Sequence, residues 1–115
     1  MMPAKKTATN KNRVASAQNL LNRAESVGAA HVEYRESDYP DTSWMDARQL
    51  KQYKNGDIEF YDTLLIDDTD GSVIGSLTES SVGKGASARA YLHGVGLELV
   101  AEYRADVLAA IKRAR

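Results

Sequence analysis

Apolar residues near the start of the chain recur at steps of three and four. The residues with this spacing are Val14, Ala17, Leu20, Leu21, Ala24 and Val27. Such spacing is typical of the buried face of an amphipathic helix. Gly28 follows directly, where glycine favours the end of a helix. The sequence therefore predicts a first helix that ends near Gly28. Residues 1–12 are polar and basic, which predicts a disordered basic tail.

A different periodicity follows in residues 30–36, where polar and apolar side chains alternate. Val32 and Tyr34 would lie on one face, and the intervening polar residues on the other. Alternation with a period of two predicts a half-buried strand.

Residues 44–56 support two interpretations. Trp44, Ala47, Leu50 and Tyr53 would share one face of a short helix, and Ser43 with Asp46 loosely matches a capping box at its start. The competing interpretation takes Asn55-Gly56 as the turn of a hairpin. We favour the helix.

The next segment has the pattern of a β-hairpin. Ile58, Phe60, Leu64 and Ile66 would lie on one face of a strand, with Asp62 interrupting them on that same face. An Asp- and Gly-rich turn over residues 67–71 separates this strand from a second one over residues 72–78.

A long amphipathic helix is predicted from about Ser87 to Arg113. Gly94 and Gly96 each cost such a helix roughly 1 kcal/mol relative to alanine, which suggests close packing against the sheet or a kink near them. Together the elements predict a single α+β domain over residues 13–115. It consists of a small, mainly antiparallel three-stranded sheet packed by an N-terminal helix and a long C-terminal helix. The sheet edges stay open, which also allows pairing into a homodimer.

Charge is strongly segregated along the chain, although the net charge is only -1. Residues 1–24 carry five basic residues and no acid, whereas residues 33–80 carry twelve acids and four basic residues. A block of one sign steers a protein towards partners of the opposite sign.

Several classes of chemistry are disfavoured by what the sequence contains. There is no cysteine, so disulfides and thiolate metal sites are excluded. His31 and Glu33 match only half of the His-x-Glu deaminase motif, and the Asp-rich turn lacks the ligands of an EF-hand at its first and last positions. The segment Gly83-Lys84-Gly85 lacks the P-loop spacing. We therefore expect no metal, no cofactor and no enzymatic activity. With no apolar run long enough for a bilayer and no signal peptide, we expect a soluble cytoplasmic protein that does not contact the membrane.

The acidic block is the leading candidate for a binding site, with a basic protein surface as its partner. Its members are Glu33, Glu36, Asp38, Asp41, Asp57, Glu59, Asp62, Asp67, Asp68 and Asp70. Tyr39 and Trp44 lie beside a turn within this block and are candidate aromatic anchors. A structural role is the alternative interpretation. The acids would then lie in solvated turns, and Trp44 would cover the edge of the core.

Three features together resemble a known type of protein. They are the acidic, turn-rich segment over residues 36–44, the hairpin around Asp70-Gly71-Ser72 and the amphipathic C-terminal helix. In these the chain resembles small, uncharacterised accessory proteins of bacteriophages and plasmids. The resemblance implies a mobile-element origin and a binding role, with inhibition of a host defence or nucleic-acid-processing complex as the function. The alternative is a nucleic-acid-associated accessory protein that uses its basic N-terminal tail and the end of its C-terminal helix.

Overall fold

The computed structural model describes residues 3–115, and it describes the side chains of residues 13–115. The elements are, in chain order, α1 (Pro3–Ser26), β1 (Ala30–Glu36), α2 (Ala47–Lys54), β2 (Glu59–Asp67), β3 (Val73–Val82), α3 (Ala86–Glu102) and α4 (Arg104–Ala114). The α+β class and the antiparallel three-stranded sheet are confirmed. The tail predicted for residues 1–12 lies outside the part of the chain whose side chains are described, so it stays a prediction.

The sheet has the strand order β1-β2-β3, with both neighbouring pairs antiparallel. Val32 of β1 lies opposite Leu65 of β2, and Leu65 is fully buried in the core. The helices α1, α3 and α4 pack on this face of the sheet. We call it the helical face, and the opposite one the outer face.

The core lies between the helical face and the three packed helices. Its buried side chains are Ala17, Leu20, Leu21, Ala24, Leu65, Leu97, Leu99, Val100, Val107, Ala110 and Ile111, together with Ala29 and Ala30 at the turn into β1. The ends of the predicted stripe of α1 are an exception, since Val14 and Val27 are about two-fifths exposed. Ala17 and Ala24 on the buried face of α1 have short side chains, so α1 can pack closely against both C-terminal helices.

Of the apolar residues predicted to share one face of this strand, Phe60, Leu64 and Ile66 do so on the outer face, whereas Ile58 precedes β2. Thr63 and Leu65 point to the helices, whereas Phe60 contacts the aromatic rings of α2 and its preceding loop. The ring centroid of Phe60 is 5.3 Å from that of Tyr53 and 6.2 Å from that of Trp44, both edge-to-face. The short helix predicted over residues 44–56 is confirmed as α2, which spans Ala47–Lys54. It covers one end of the outer face.

The capping of α2 differs from the sequence prediction. Asp46 itself is the N-cap: its carboxylate accepts a hydrogen bond from the Gln49 N–H, and the Gln49 side chain accepts one from the Asp46 N–H. The capping box therefore starts at Asp46, three residues after the start predicted at Ser43.

The long C-terminal helix is interrupted, which corrects the prediction of one continuous helix. The break lies at Tyr103, with φ −104° and ψ 32°, and not at Gly94 or Gly96. The Tyr103 ring lies directly over Gly75 of β3, where any Cβ would overlap it. At the break, the Tyr103 ring therefore packs on the sheet at Gly75, which has no side chain.

Strand β3 extends to Val82, four residues beyond the prediction. Its pairing with β2 shifts register twice, between Tyr61 and Thr63 and between Leu65 and Ile66. Glu79 lies at the first of these irregularities with a positive φ of 56°, and bulges of this kind bend a strand locally. Among the described helices, none has the length and apolar character needed to cross a bilayer.

Candidate functional site

The candidate acids divide between the two ends of the sheet. Glu36, Asp38, Asp41, Asp57 and Glu59 lie where β1 ends and β2 begins, whereas Asp67, Asp68 and Asp70 lie at the β2–β3 turn. The eight residue steps from Glu59 to Asp67 span about 26 Å at the rise of an extended strand. Glu33 and Asp62 lie between the two groups on the outer face. The candidate acids are therefore spread over the length of the sheet and are concentrated at its two ends.

The acids at the β2–β3 turn are engaged within the protein. Asp67 is 3% exposed and accepts hydrogen bonds from the Thr69 N–H, the Thr69 hydroxyl and the guanidinium of Arg113. Asp70 accepts a hydrogen bond from the Ser72 N–H. These contacts close the turn and attach the end of α4 to the sheet.

A second internal cluster runs along the outer face. Both carboxylate oxygens of Asp68 contact His31 Nδ1, at 2.7 and 2.9 Å, and Glu33 contacts His31 Nε2 at 3.0 Å. Glu33 also accepts a hydrogen bond from Arg35 Nε at 2.8 Å. The hydrogen bonds to Glu33 and Asp68 raise the pKa of His31 above 6.5, because both carboxylates favour its charged form.

Asp62, which interrupts the apolar pattern of β2, positions the loop after β1. Its Oδ1 accepts hydrogen bonds from the Ser37 hydroxyl at 2.6 Å and from the Glu79 N–H at 2.9 Å. The Glu79 carboxylate in turn accepts one from the Asp41 N–H at 2.9 Å. An acid on the apolar face of a strand was the sequence signal for this role, but its partners lie 17 and 25 residues away.

The other end of the sheet carries five acids together with both candidate aromatic residues; four of the acids are exposed, and Glu59 is half-buried and accepts a hydrogen bond from the Tyr61 hydroxyl. We call this surface the acid-aromatic end; it consists of Glu36, Asp38, Tyr39, Asp41, Trp44, Asp57 and Glu59. None of its five acids forms an ion pair with another described residue. A cleft of about 350 Å³ opens beside it, lined by Glu36, Pro40, Tyr53, Lys54 and Glu59 among others.

The two aromatic side chains are presented differently. Tyr39 is 98% exposed and its backbone has φ 52°, a left-handed conformation that few non-glycine residues adopt. Trp44 is 55% exposed, and its indole packs edge-on against Phe60. Trp44 therefore has both a structural contact and a free surface, whereas the Tyr39 side chain lies almost wholly in solvent.

No three histidine or carboxylate side chains among the described residues converge in a way that could hold a metal ion. Gly85 caps α3 without a side-chain hydrogen bond, and the cleft beside it is lined by Glu59 as well as by Lys84 and Arg89. The carboxylate there opposes the binding of an anion.

Comparison with known proteins gives no match, whether with family models, with curated proteins or with solved structures.

Proposed function

We propose that this protein is a non-enzymatic binding module that occludes a basic surface of a protein partner in the cytoplasm through its acid-aromatic end. The observation that carries the proposal is the exposed pair Tyr39 and Trp44 among acids without described ion pairs. Exposed acids attract a basic partner from a distance, and aromatic side chains supply the buried contact once it arrives.

The backbone at Tyr39 supports this assignment. Holding a tyrosine at positive φ costs on the order of 1 kcal/mol, and such strain is concentrated at binding sites. The hydrogen bonds of Asp62 and Glu79 hold both flanks of the loop, at Ser37 and Asp41. A loop fixed in this way presents Tyr39 to a partner with little further loss of entropy.

The identity of the partner follows from the resemblance to accessory proteins of bacteriophages and plasmids. On that basis the partner is a host defence or nucleic-acid-processing complex, and the protein inhibits it. Proteins that handle nucleic acid carry basic channels, and the acid-aromatic end has the complementary charge.

The proposal is tested by affinity capture from host lysate with three baits, each at low and high salt. The first is the wild type, and the second carries Tyr39→Ser, Asp38→Asn and Asp57→Asn. The third is a control with Tyr91→Ser and Glu102→Gln, which removes a half-exposed tyrosine and an exposed acid from α3.

We expect one protein or complex to be retained by the wild type and the control, and lost from the second bait and at high salt. The three substitutions lie at exposed positions, so the melting temperature should change little. Equal retention by all three baits would contradict the proposal.

The alternative function, nucleic-acid association, draws on the packing of α1 against α4. Arg104 donates a hydrogen bond to the Ser16 hydroxyl at 3.1 Å, so α1 and α4 belong to one helical layer. Recovery of nuclease-sensitive nucleic acid, lost on deletion of residues 1–12, would favour this function over the first.

A further inference from the structure

The edge of β1 has a regular backbone and a limited set of free hydrogen-bonding groups. It pairs with β2 without a register shift over its whole length, and no described strand lies on its other side. The bonds from Ser37 N–H to the Phe60 carbonyl and from Asp68 N–H to the Ala29 carbonyl show that odd-numbered residues bond to β2. Antiparallel ladders alternate strictly, so the even-numbered residues of β1 point their N–H and C=O groups outward.

Burial leaves three of these even-numbered residues available for pairing with another chain. Ala30, the first even-numbered residue, is 0% exposed and cannot pair with another chain. Val32, Tyr34 and Glu36 remain, and Tyr34 is 41% exposed. Three outward-facing residues centred on Tyr34 match their own reversed copy, because Val32 would face Glu36 and Tyr34 would face itself.

We propose that β1 pairs antiparallel with β1 of a second copy of this chain, with the two-fold axis at Tyr34. The two three-stranded sheets then join into one, with both helical layers on the same side. Tyr34 lies opposite the partner's Tyr34 on the helical face, where aromatic cross-strand pairs are favourable.

Charge supports this register over its neighbour. With the axis at Tyr34, Glu33 lies opposite the partner's Arg35 on the outer face, and Arg35 opposite the partner's Glu33. A shift that centres the pair on Glu33 would place two glutamates face to face, which is destabilising. Arg35 already donates a hydrogen bond to Glu33 of its own chain, but its side chain is 60% exposed and a guanidinium carries five N–H donors, so it can also contact the partner's Glu33.

The opposite edge of the sheet is a poorer candidate. Strand β3 shifts register twice, and bulges are a common device that prevents edge pairing. The charges on β1, by contrast, alternate in sign at a spacing of two residues, which excludes most registers but favours the one centred on Tyr34.

Sedimentation over a dilution series tests the proposal. We expect a reversible dimer that dissociates on dilution and with salt, since a single strand pair buries less than a standard interface. Glu33→Arg and Arg35→Glu should each weaken dimerisation by about tenfold, because each places like charges opposite one another twice.

Mixing the two variants distinguishes pairing across the edge from a role within one chain. In a heterodimer of Glu33→Arg with Arg35→Glu, both cross-strand pairs are again of opposite sign, so labelled variants should associate with each other more tightly than with themselves. Glu102→Arg and Arg48→Glu are controls with the same charge changes elsewhere on the surface, and circular dichroism verifies that each variant folds.

Three results would each overturn the proposal. They are a monomer at concentrations up to about 1 mM, a dimer that the single variants do not weaken, and mixed variants that fail to associate. A chain that stays monomeric but binds an extended peptide along β1 also counts against it.

Discussion

Charged side chains on the outer face form hydrogen bonds directly with one another. Both ring nitrogens of His31 contact carboxylates, with Asp68 on one side and Glu33 on the other. The hydrogen bond to Glu33 and then that to Asp68 raise the pKa of His31, and they outweigh its partial burial, which lowers the pKa. The hydrogen bond from His31, with that from Arg35, lowers the pKa of Glu33. The charged forms of all these groups stabilise one another.

This arrangement predicts how stability depends on pH. Because the pKa of His31 is higher in the folded than in the unfolded state, its contribution is complete below about pH 6.5 and is lost as the pH rises through the folded pKa. Asp68→Asn should lower the His31 pKa. It should also reduce the gain in the free energy of unfolding that the protein shows in acidic solution. An NMR titration of the imidazole together with unfolding curves at several pH values measures both effects.

Asp70→Asn is the matched control, since that carboxylate accepts its hydrogen bond from Ser72 and not from His31. A His31 pKa that is the same in wild type and Asp68→Asn would contradict this account of the cluster.

Among the elements, α3 contains two glycines in different surroundings. A Cβ at Gly96 would lie 3.0 Å from both Tyr34 Oη and Val32 Cγ1, whereas one at Gly94 would meet nothing within 4 Å. The close packing predicted for both glycines therefore applies to Gly96 alone.

Alanine substitutions should separate the two positions. Gly94→Ala should raise the free energy of unfolding by about 1 kcal/mol through helix propensity. Gly96→Ala should lower it by about 1 kcal/mol, because overpacking of about 2 kcal/mol outweighs the same propensity gain. Denaturant titration of both variants gives the comparison, and two changes of the same sign would contradict it.

The elements were predicted where the pattern is local, and missed where their form depends on distant contacts. The alternation in β1 and the Asp-rich turn after β2 act within a few residues, and both were placed correctly. The break at Tyr103 depends on Gly75, far along the chain. The outward orientation of Phe60 depends on α2 covering the outer face, and periodicity by itself cannot tell which face of a strand meets the helices.

The same limit applies to the candidate site at the scale of the whole molecule. The acids are grouped in one segment of the sequence, but a strand about 26 Å long separates Glu59 from Asp67. The sequence identified the exposed residues Tyr39 and Trp44 because they flank a turn. It could not show that Asp67 and Asp68 already have partners, because Arg113 and His31 are brought to them only by the fold.

One ion pair joins the last helix of the chain to the far end of the sheet. Asp67 is buried, which would raise its pKa, but the hydrogen bonds from Thr69 and the guanidinium of Arg113 outweigh this and hold the pKa below its ordinary value. Its stabilising contribution is therefore present above about pH 3.8 and is lost as the pH falls through the folded pKa.

Removing the cation should leave a buried carboxylate with only its Thr69 contacts. We expect Arg113→Met to lower the free energy of unfolding by about 1–2 kcal/mol at neutral pH, since a buried charge loses one partner but half of the Arg113 side chain is in solvent. Lys112→Met, at an exposed neighbouring position, should have little effect. The difference between the two variants should shrink in acid as Asp67 becomes protonated. A difference independent of pH would instead assign the role of Arg113 to the packing of its aliphatic stem on the sheet.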